Sequence, residues 1–438
     1  MTALEPFLTL FGTKNNMKTF SFIALGCKVN QYEIRSIAAQ LQAYGLRPVA
    51  FGERADLCVI NTCCVTGESE AKSRKVISRA HRTSPDAWIV ITGCYAQIAD
   101  TLPQHVDLLV PNSDKDRCVE KIVEFLAQNG IQLHKEEETH YQPLLHDRTR
   151  ATVKVQDGCD SFCSYCIIPY ARGQLSSKPI HEVEAEVRQL VACGFKEVVL
   201  TGIHLTRYGV DRGGESDLTD LILRINEIDG LERIRLGSLE PGFLNEMTIA
   251  RLSQAKKLCG HFHLSLQSGC EATLVRMNRK YTPMQYAQEI SLLRQYFPNC
   301  AITTDVMTGF SGETEEEFAQ SLAFVRECGF AKVHVFTYSV RPGTAAAAWE
   351  QVPESIRHQR CRQMMEVAQA GREEYLRQAV GQTCLVLLEG KQGDWIHGFT
   401  ENYIPVSIPS SQGMPNELIQ VCITGIDGDG CKGVSVEG

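Results

Sequence analysis

The sequence predicts an α/β protein in three parts: a doubly wound N-terminal domain, a partial barrel of six β/α units, and a small C-terminal β-barrel. Three observations carry this expectation. Apolar runs of strand length alternate with amphipathic stretches of helix length from Lys18 to about Gly130. The alternation restarts at Ala151 and continues to about Ala379. From Val380 onward the helical stretches stop, and short apolar runs follow one another between turns. Alternating strands and helices imply parallel sheets, whereas closely spaced short strands imply a small barrel.

In the first part, Thr19–Gly26, Leu57–Asn61, Ala87–Thr92 and Leu108–Val110 are expected as strands, and Val29–Tyr44, Glu68–Arg82 and Lys115–Gln128 as helices. The parts are bounded at 18–130, 151–379 and 380–438. A charged, irregular stretch within 131–150 is expected as the linker. In the central part the expected strands are Thr152–Gln156, Glu197–Leu200, Arg233–Leu236, His261–Leu266, Ala301–Met307 and Lys332–Phe336. Helices such as Ile180–Cys193 and Glu313–Cys328 lie between them, and Ile356–Ala379 is a last long helix. The final part holds CLVLLEG, WIHGFTENYIPVSI and LIQVCITG, with turn punctuation at Asp427–Gly430.

The chain has 438 residues, with 44 Lys plus Arg against 52 Asp plus Glu and a net charge of −8. That length suits two to four domains. With 43% hydrophobic and 22% charged residues, collagen-like, disordered and coiled-coil classes are excluded. The acidic balance excludes a general basic coat, so any polyanion partner needs a local patch. Eighteen cysteines in a chain this long do not suit a short secreted disulfide scaffold. The start, MTALEPFLTLFGTKNNMKTF, lacks the basic region and unbroken apolar core of a signal peptide. No run approaches the roughly 20 apolar residues of a membrane helix. The expectation is a cytoplasmic chain with metal-bound thiolates and no membrane partner. Met17 is expected as the functional start, because regular structure begins just after it.

The strongest chemical signal is Cys159, Cys163 and Cys166 in DGCDSFCSYCIIPYARG. Three thiolates so close cannot complete a tetrahedral zinc site without a fourth ligand. They suit a [4Fe–4S] cluster with one iron left free of protein, which a small molecule can chelate. The C-x3-C-x2-C spacing, with Tyr165 before the last cysteine, resembles the radical S-adenosylmethionine (SAM) superfamily. That resemblance implies that the free iron holds the amino and carboxyl groups of SAM, and that an electron from the cluster cleaves SAM to a 5′-deoxyadenosyl radical. The motif also follows the first strand of the central part, where barrel chemistry is expected.

A second constellation is Cys27 in LGCKVNQYE, Cys63 in VINTCCVTGE and Cys94 in VITGCYAQ. Each lies just beyond an expected strand, and parallel strands deliver their carboxyl ends to one edge. Scattered cysteines are otherwise core residues, as Cys58 is taken to be. Cys64 competes with Cys63, which is chosen because it matches the family pattern Asn-Thr-Cys. In this order the motifs resemble the methylthiotransferase family, from about Lys18 to the end. Further matches are IIPYARG, LTGIH, GSLEP, HLSLQSG, MNRKYT, TDVMTGFSGET, HVFTYSVRPGT and ENYIPV. The resemblance implies a second three-cysteine [4Fe–4S] cluster in the first domain, a radical SAM core, and a C-terminal TRAM β-barrel. It further implies two fates for SAM. One molecule methylates a sulfur associated with the Cys27–Cys63–Cys94 cluster; the other is reductively cleaved at the Cys159–Cys163–Cys166 cluster.

Lys-Val-Asn after Cys27 resembles the branch acting on N6-threonylcarbamoyladenosine (t6A) beside the tRNA anticodon. The isopentenyladenosine branch usually has Gln-Met-Asn there, and the branch acting on a ribosomal-protein aspartate has Pro-Lys-Asn. Partners implied are the anticodon stem-loop and a reductant of flavodoxin or ferredoxin type, with the sulfur donor unknown. A rival from another class is a non-catalytic iron–sulfur RNA-binding protein, which would make no 5′-deoxyadenosine.

Other side chains are candidates with an open alternative. Glu240 and Gln267 suit SAM's ribose or amino group, or are structural caps. Thr201 and Gly202 offer backbone to SAM's amino group, or form an ordinary strand-ending turn. Arg279 and Arg341 suit a carboxylate of SAM or t6A, or surface salt bridges. Asp305 is either catalytic or a strand-end acid. For RNA, Gln382–Gly438 has two Lys against seven acids, which argues against electrostatic capture by the barrel and leaves Trp395, Phe399 and Tyr403 for shape and stacking. Lys72, Lys75, Arg79 and Arg82 recur at helical spacing in a stretch without acids, as a phosphate-binding face or a solvated one.

Overall fold

A computed structural model describes residues 17–101, 103–135 and 149–436. Residues 1–16 lie outside it, as do 136–148 of the expected linker. The chain divides into two units: the N-terminal residues to His146 together with Tyr170–Gly173, and Asp147–Pro169 together with Gln174–Gly438. No helix of the described residues is long and apolar enough to cross a membrane.

The first unit is a five-stranded parallel sheet in the order Arg47–Val49, Thr19–Ala24, Leu57–Thr62, Trp88–Gly93, Leu108–Leu109. Its central strand is buried throughout, and its residues alternate between two cores. Leu57 and Val59 join Ile34, Ile37, Leu41, Ile122 and Leu126, from helices Lys28–Gln42 and Cys118–Gln128. Cys58 and Ile60 join Ile77 and Ala80 of helix Gly67–Thr83. Helices on both faces make the sheet doubly wound, as expected. The three-residue edge strand Arg47–Val49 has too little periodicity to be expected. The helix expected from Lys115 opens with a 3-10 stretch, Asn112–Arg117, and is α-helical only from Cys118.

The second unit begins with the parallel strands Arg150–Lys154, Glu197–Thr201 and Arg233–Leu236. A four-stranded parallel sheet follows: Ser238–Leu239, His261–Leu264, Ala301–Thr308 and Lys332–Thr337. The six expected β/α units are present in order, but the partial barrel is divided into two sheets. The division falls at Gly237, whose N–H donates to the Leu200 carbonyl. Arg233–Leu236 pairs with the strand before it, and Ser238–Leu239 with the strand after it. Thr282 and Thr314 cap their helices with reciprocal Gln285 and Glu317 side chains, which fixes where the returning helices start.

The last five strands close a barrel in the order Thr383–Gln392, Trp395–Thr400, Pro405–Pro409, Gly430–Ser435, Leu418–Asp427. Val386, Leu388, Ile396, Val406, Ile408, Val421 and Ile423 fill it, and Leu376 and Ala379 from helix Glu354–Ala379 pack on that core. The barrel is tied to the core strands through buried charge. Arg233 donates to the carbonyls of Phe399 and Leu385, and Arg235 to the Glu197 carboxylate and the Glu401 carbonyl. Tyr403 stacks on Phe399 at 4.7 Å, with the Arg150 guanidinium over both rings and that of Arg235 over Tyr403. Two of the three aromatic residues expected to face RNA are therefore engaged inside the molecule. Trp395 stays 37% exposed.

Candidate functional site

In the first unit the strand order reverses between Thr19–Ala24 and Leu57–Thr62, and in open α/β sheets that crevice, at the carboxyl ends, is where ligands bind. Cys27 follows the first of these strands and Cys63 the second; Cys94 follows Trp88–Gly93. The turns are tight. Gly26 has φ +86°, and a Cβ there would lie 2.7 Å from Cys63 Sγ. Gly93 has φ +94°, and a Cβ there would lie 2.1 Å from Asn61 Oδ1. Both positions need glycine. Cys27 is exposed, while Cys63 and Cys94 are buried. The Cys27 thiol is within electrostatic reach of Cys63, Cys94 and Arg172.

Asn30 knits this edge together by donating to the carbonyls of Leu25 and Thr62. Ser73 donates to the Cys63 carbonyl and accepts from the Cys63 N–H. The Cys94 thiol is brought down to about 6, first by a hydrogen bond with Cys64 and also by the Arg172 guanidinium, against the burial that raises it. Burial pushes the Cys63 thiol up. Both neighbours in the Cys63–Cys64 pair are thus close to the other cysteines: Cys63 lies beside Gly26, and Cys64 bonds Cys94. Cys58 is a buried strand residue that accepts a hydrogen bond from Ser21, which fits a core role.

In the second unit Cys159, Cys163 and Cys166 lie in the loop after Gln156–Asp157. Gly158 (φ +74°) and Phe162 (φ +43°) turn the backbone, and the Phe162 carbonyl accepts from Asn278. The Ser164 N–H donates to the Met277 carbonyl, and its hydroxyl to the Arg276 carbonyl. Cys159 Sγ is 3.6 Å from His204 Nδ1, and Arg279 Nη1 is 3.5 Å from Cys163 Sγ. Burial pushes the Cys166 thiol up to about 12 and the His204 imidazole down to about 4.

Among the described residues no three His, Cys, Asp or Glu side chains close on a point as ligands of one metal ion do. A [4Fe–4S] cluster instead takes each thiolate on a different iron, so its ligands stand apart. Two sets of three cysteines, each at the carboxyl edge of a parallel sheet, fit that donor requirement. Metal binding would release the protons that burial retains on thiols such as Cys63 and Cys166.

Around the second set, Arg279 is almost fully buried, and its nitrogens go to Glu240 Oε1 at 2.8 Å, the Ser265 carbonyl, the Tyr281 hydroxyl and Cys163. It is not a surface salt bridge. Its carboxylate partner is Glu240, which a carboxylate ligand would have to displace. Gln267 has φ +64°, is 8% exposed, and its Oε1 has no hydrogen-bond partner among the described residues. Thr201 ends its strand, and a Cβ on Gly202 would lie 2.8 Å from Gln156 Oε1. That contact marks a residue which sequence reasoning missed. Gln156 donates to the Asp157 and Gly158 carbonyls and accepts from the His204 N–H, so it orients both sides of the cysteine loop.

Tyr165 packs edge-on against Phe310 beside Met277 and Tyr338. Arg341 is buried, which removes the surface reading. Asp305 is not a strand-end acid: it is the fifth of eight residues in Ala301–Thr308, in register with His334. Its Oδ2 is 3.1 Å from His263 Nε2, and His263 Nδ1 is 3.0 Å from Thr303 Oγ1. The acid lies inside the strand, three residues before its end at Thr308.

Lys72, Lys75, Arg79 and Arg82 are exposed along helix Gly67–Thr83. Lys75, Arg79 and Arg82, with Arg74, His81 and His105, line a shallow groove, where the two imidazoles stack at 4.0 Å. Arg79 also rests on the Phe51 ring.

Residues 153–325 match the Radical SAM superfamily, and residues 19–110 match the uncharacterized protein family UPF0004. The chain is 36% identical over 425 residues to the threonylcarbamoyladenosine tRNA methylthiotransferase MtaB of Bacillus subtilis, covering 93% of this chain and 94% of that protein. It is 32% identical over 434 residues to the tRNA-2-methylthio-N(6)-dimethylallyladenosine synthase of Desulforamulus reducens, covering 94% of each. Among solved structures, the radical S-adenosylmethionine methyltransferase TsrM from Kitasatospora setae shares the fold, with TM-score 0.57 and 13% identity over 76% of this chain and 77% of that one. Identity of 36% over nearly the whole of a methylthiotransferase, in a chain with a radical SAM match across its parallel strands, makes it a member of the radical SAM methylthiotransferase family.

Proposed function

We propose that the protein adds a methylthio group to C2 of t6A next to the tRNA anticodon, using SAM. The observation that carries this reading is the 36% identity, over 93% of the chain, to a relative named for that activity. Lys28-Val29-Asn30 after Cys27 supports the t6A branch over the isopentenyladenosine branch. The reaction needs a radical, because a heteroaromatic C–H has no acidity that a side-chain base can use near neutral pH.

Two [4Fe–4S] clusters, when bound, would supply one-electron cleavage of SAM and a site for the transferred sulfur. Cys159, Cys163 and Cys166 would hold the first and leave one iron open to SAM. Cys27, Cys63 and Cys94 would hold the second. Gln267, with its unsatisfied buried carbonyl oxygen, suits a donor such as SAM's ammonium or a ribose hydroxyl. Arg279 braces Glu240 and the Cys163 side of the loop. Thr201, Gly202, Tyr165 and Arg341 complete the proposed SAM surroundings. Residues 18–130 form the proposed auxiliary-cluster domain, 131–150 the linker, 151–379 the radical SAM core and 380–438 a TRAM domain. The setting is cytoplasmic, with a flavodoxin- or ferredoxin-type reductant and the anticodon stem-loop as the RNA partner.

Nucleoside analysis of tRNA from a deletion strain tests the reading. The 2-methylthio form of t6A should vanish while t6A itself accumulates. Loss of the methylthio form of isopentenyladenosine instead, or persistence of both, would place the enzyme in another branch.

A further inference from the structure

Arg172 lies six positions beyond Cys166 in the sequence, yet its side chain is fully buried within the first unit. Its Nε donates to Cys94 Sγ at 3.2 Å. Its two terminal nitrogens donate to Glu33, at 2.7 and 3.2 Å, and one also donates to Asn30 Oδ1. The preceding carbonyl, of Ala171, accepts from Asn112 at 2.7 Å, and Asn112 Nδ2 is 3.7 Å from Cys94 Sγ. Every element of this set is near a proposed ligand: Asn30 stands three residues after Cys27 and its amide reaches the carbonyl just before Cys63.

A buried guanidinium requires a charged partner, and Glu33 is that partner. Glu33 is also 3.8 Å from Lys115, so the carboxylate that pairs with the guanidinium is shared with a second cation. Hydrogen bonds to sulfur and local net charge set the potential of an iron–sulfur cluster. A lysine could keep the charge but not the flat three-way fork that reaches sulfur, amide and carboxylate together.

We propose that Arg172 is a positioning residue for the first cysteine set: it fixes the Cys94 thiolate and raises the reduction potential of the cluster held there. This rests on the reading that Cys27, Cys63 and Cys94 hold a four-iron cluster. The test uses the full-length chain, reconstituted anaerobically, in a background with Cys159, Cys163 and Cys166 replaced by Ala, so that one cluster contributes the signal. Iron content and an EPR-monitored redox titration are measured. Arg172→Gln should keep four irons with a more negative midpoint, and Arg172→Lys should fall between it and the parent. An unchanged midpoint and unchanged EPR spectrum in Arg172→Gln would overturn the proposal. Should Arg172→Gln lose its iron, Arg172→Lys decides: retained iron with a lowered midpoint supports the role. Iron loss there, with a lowered melting temperature of the apo-protein, reduces Arg172 to a structural tie. A parent that binds no iron would instead remove the reading of the first cysteine set.

Discussion

Cys159, Cys163 and Cys166 fall within one loop of eight residues, whereas Cys27, Cys63 and Cys94 stand beyond three different strands, 36 and 31 positions apart. The loop is made by local turns, at Gly158 and Phe162, and is braced by hydrogen bonds with Arg276, Met277 and Asn278 and by the Gln156 side chain. The dispersed set exists only when the parallel sheet is in register, because closing such long loops has an entropic cost that sheet packing must offset. Its supports are accordingly distributed: Gly26, Asn30, Ser73 and Gly93 from one stretch of chain, and Arg172 from another. A local motif tolerates error in the fold around it; a dispersed one does not.

The sharpest way to break this comparison is to remove each set. With both intact, reconstituted protein should hold about eight irons. Replacing Cys27, Cys63 and Cys94 by Ala should remove half and abolish methylthiolation while SAM cleavage continues. Replacing Cys159, Cys163 and Cys166 should remove the other half and eliminate 5′-deoxyadenosine. Full iron retention in either triple variant would refute that set. Cys64→Ala joins the series as the control for its neighbour: it should retain iron that Cys63→Ala loses.

A smaller effect separates the two kinds of support. Gly26→Ala faces both a left-handed backbone, at about 1–2 kcal/mol, and Cys63 Sγ at 2.7 Å. Its iron should fall from about eight toward four, with SAM cleavage kept. Gly202→Ala meets the far end of the Gln156 side chain at 2.8 Å, its Cβ at 3.0 Å and its backbone carbonyl at 3.3 Å, without a left-handed backbone. It should keep its iron and slow SAM cleavage several-fold, because Gln156 must let go of Gly158 or of His204. Equal iron in the two glycine variants would mean that the dispersed set is no more dependent on its surroundings than the local one.

What could be read from sequence follows the same division. The contiguous C-x3-C-x2-C spacing and the alternation of strands and helices are local patterns, and the cysteine loop and the parallel strands of both units follow from them. The positions after strands also give the edge shared by Cys27, Cys63 and Cys94. Arg172 could be quoted within IIPYARG but not assigned a contact, since nothing in its neighbourhood of sequence shows that Tyr170–Gly173 packs with the first unit. Gly237 divides one strand between two sheets without any change of hydrophobic pattern. The final strand, Gly430–Ser435, is hidden behind the Asp–Gly punctuation that makes its turn. Phe399 and Tyr403 carry the aromatic signature of RNA stacking, yet their faces are taken by Arg150 and Arg235.

The smallest expected effect concerns how tRNA approaches, where helix Gly67–Thr83 and the C-terminal barrel differ in sign of charge. Lys72, Lys75 and Arg82 are exposed and make no hydrogen bond or ion pair among the described residues, as phosphate-binding side chains should before RNA arrives. Each phosphate contact releases condensed counterion, so replacing Lys72, Lys75, Arg79 and Arg82 by Gln should flatten the salt dependence of tRNA affinity by up to about 0.7 in log–log slope per lost contact. The comparison is Trp395→Ala rather than removal of the barrel, because without the barrel Arg233 and Arg235 would lose the carbonyls that satisfy them. Trp395 is exposed, and a base stacking on it would share the ring with Lys432, whose Nζ is 5.4 Å from the centroid. Its loss should weaken binding by about 1 kcal/mol or more, the usual scale for a base on an aromatic ring, with the slope unchanged. Binding measured across a salt series separates the two contributions in one experiment. An unchanged slope in the four-residue variant would make this helix a solvated face and move the phosphate contacts elsewhere on the molecule.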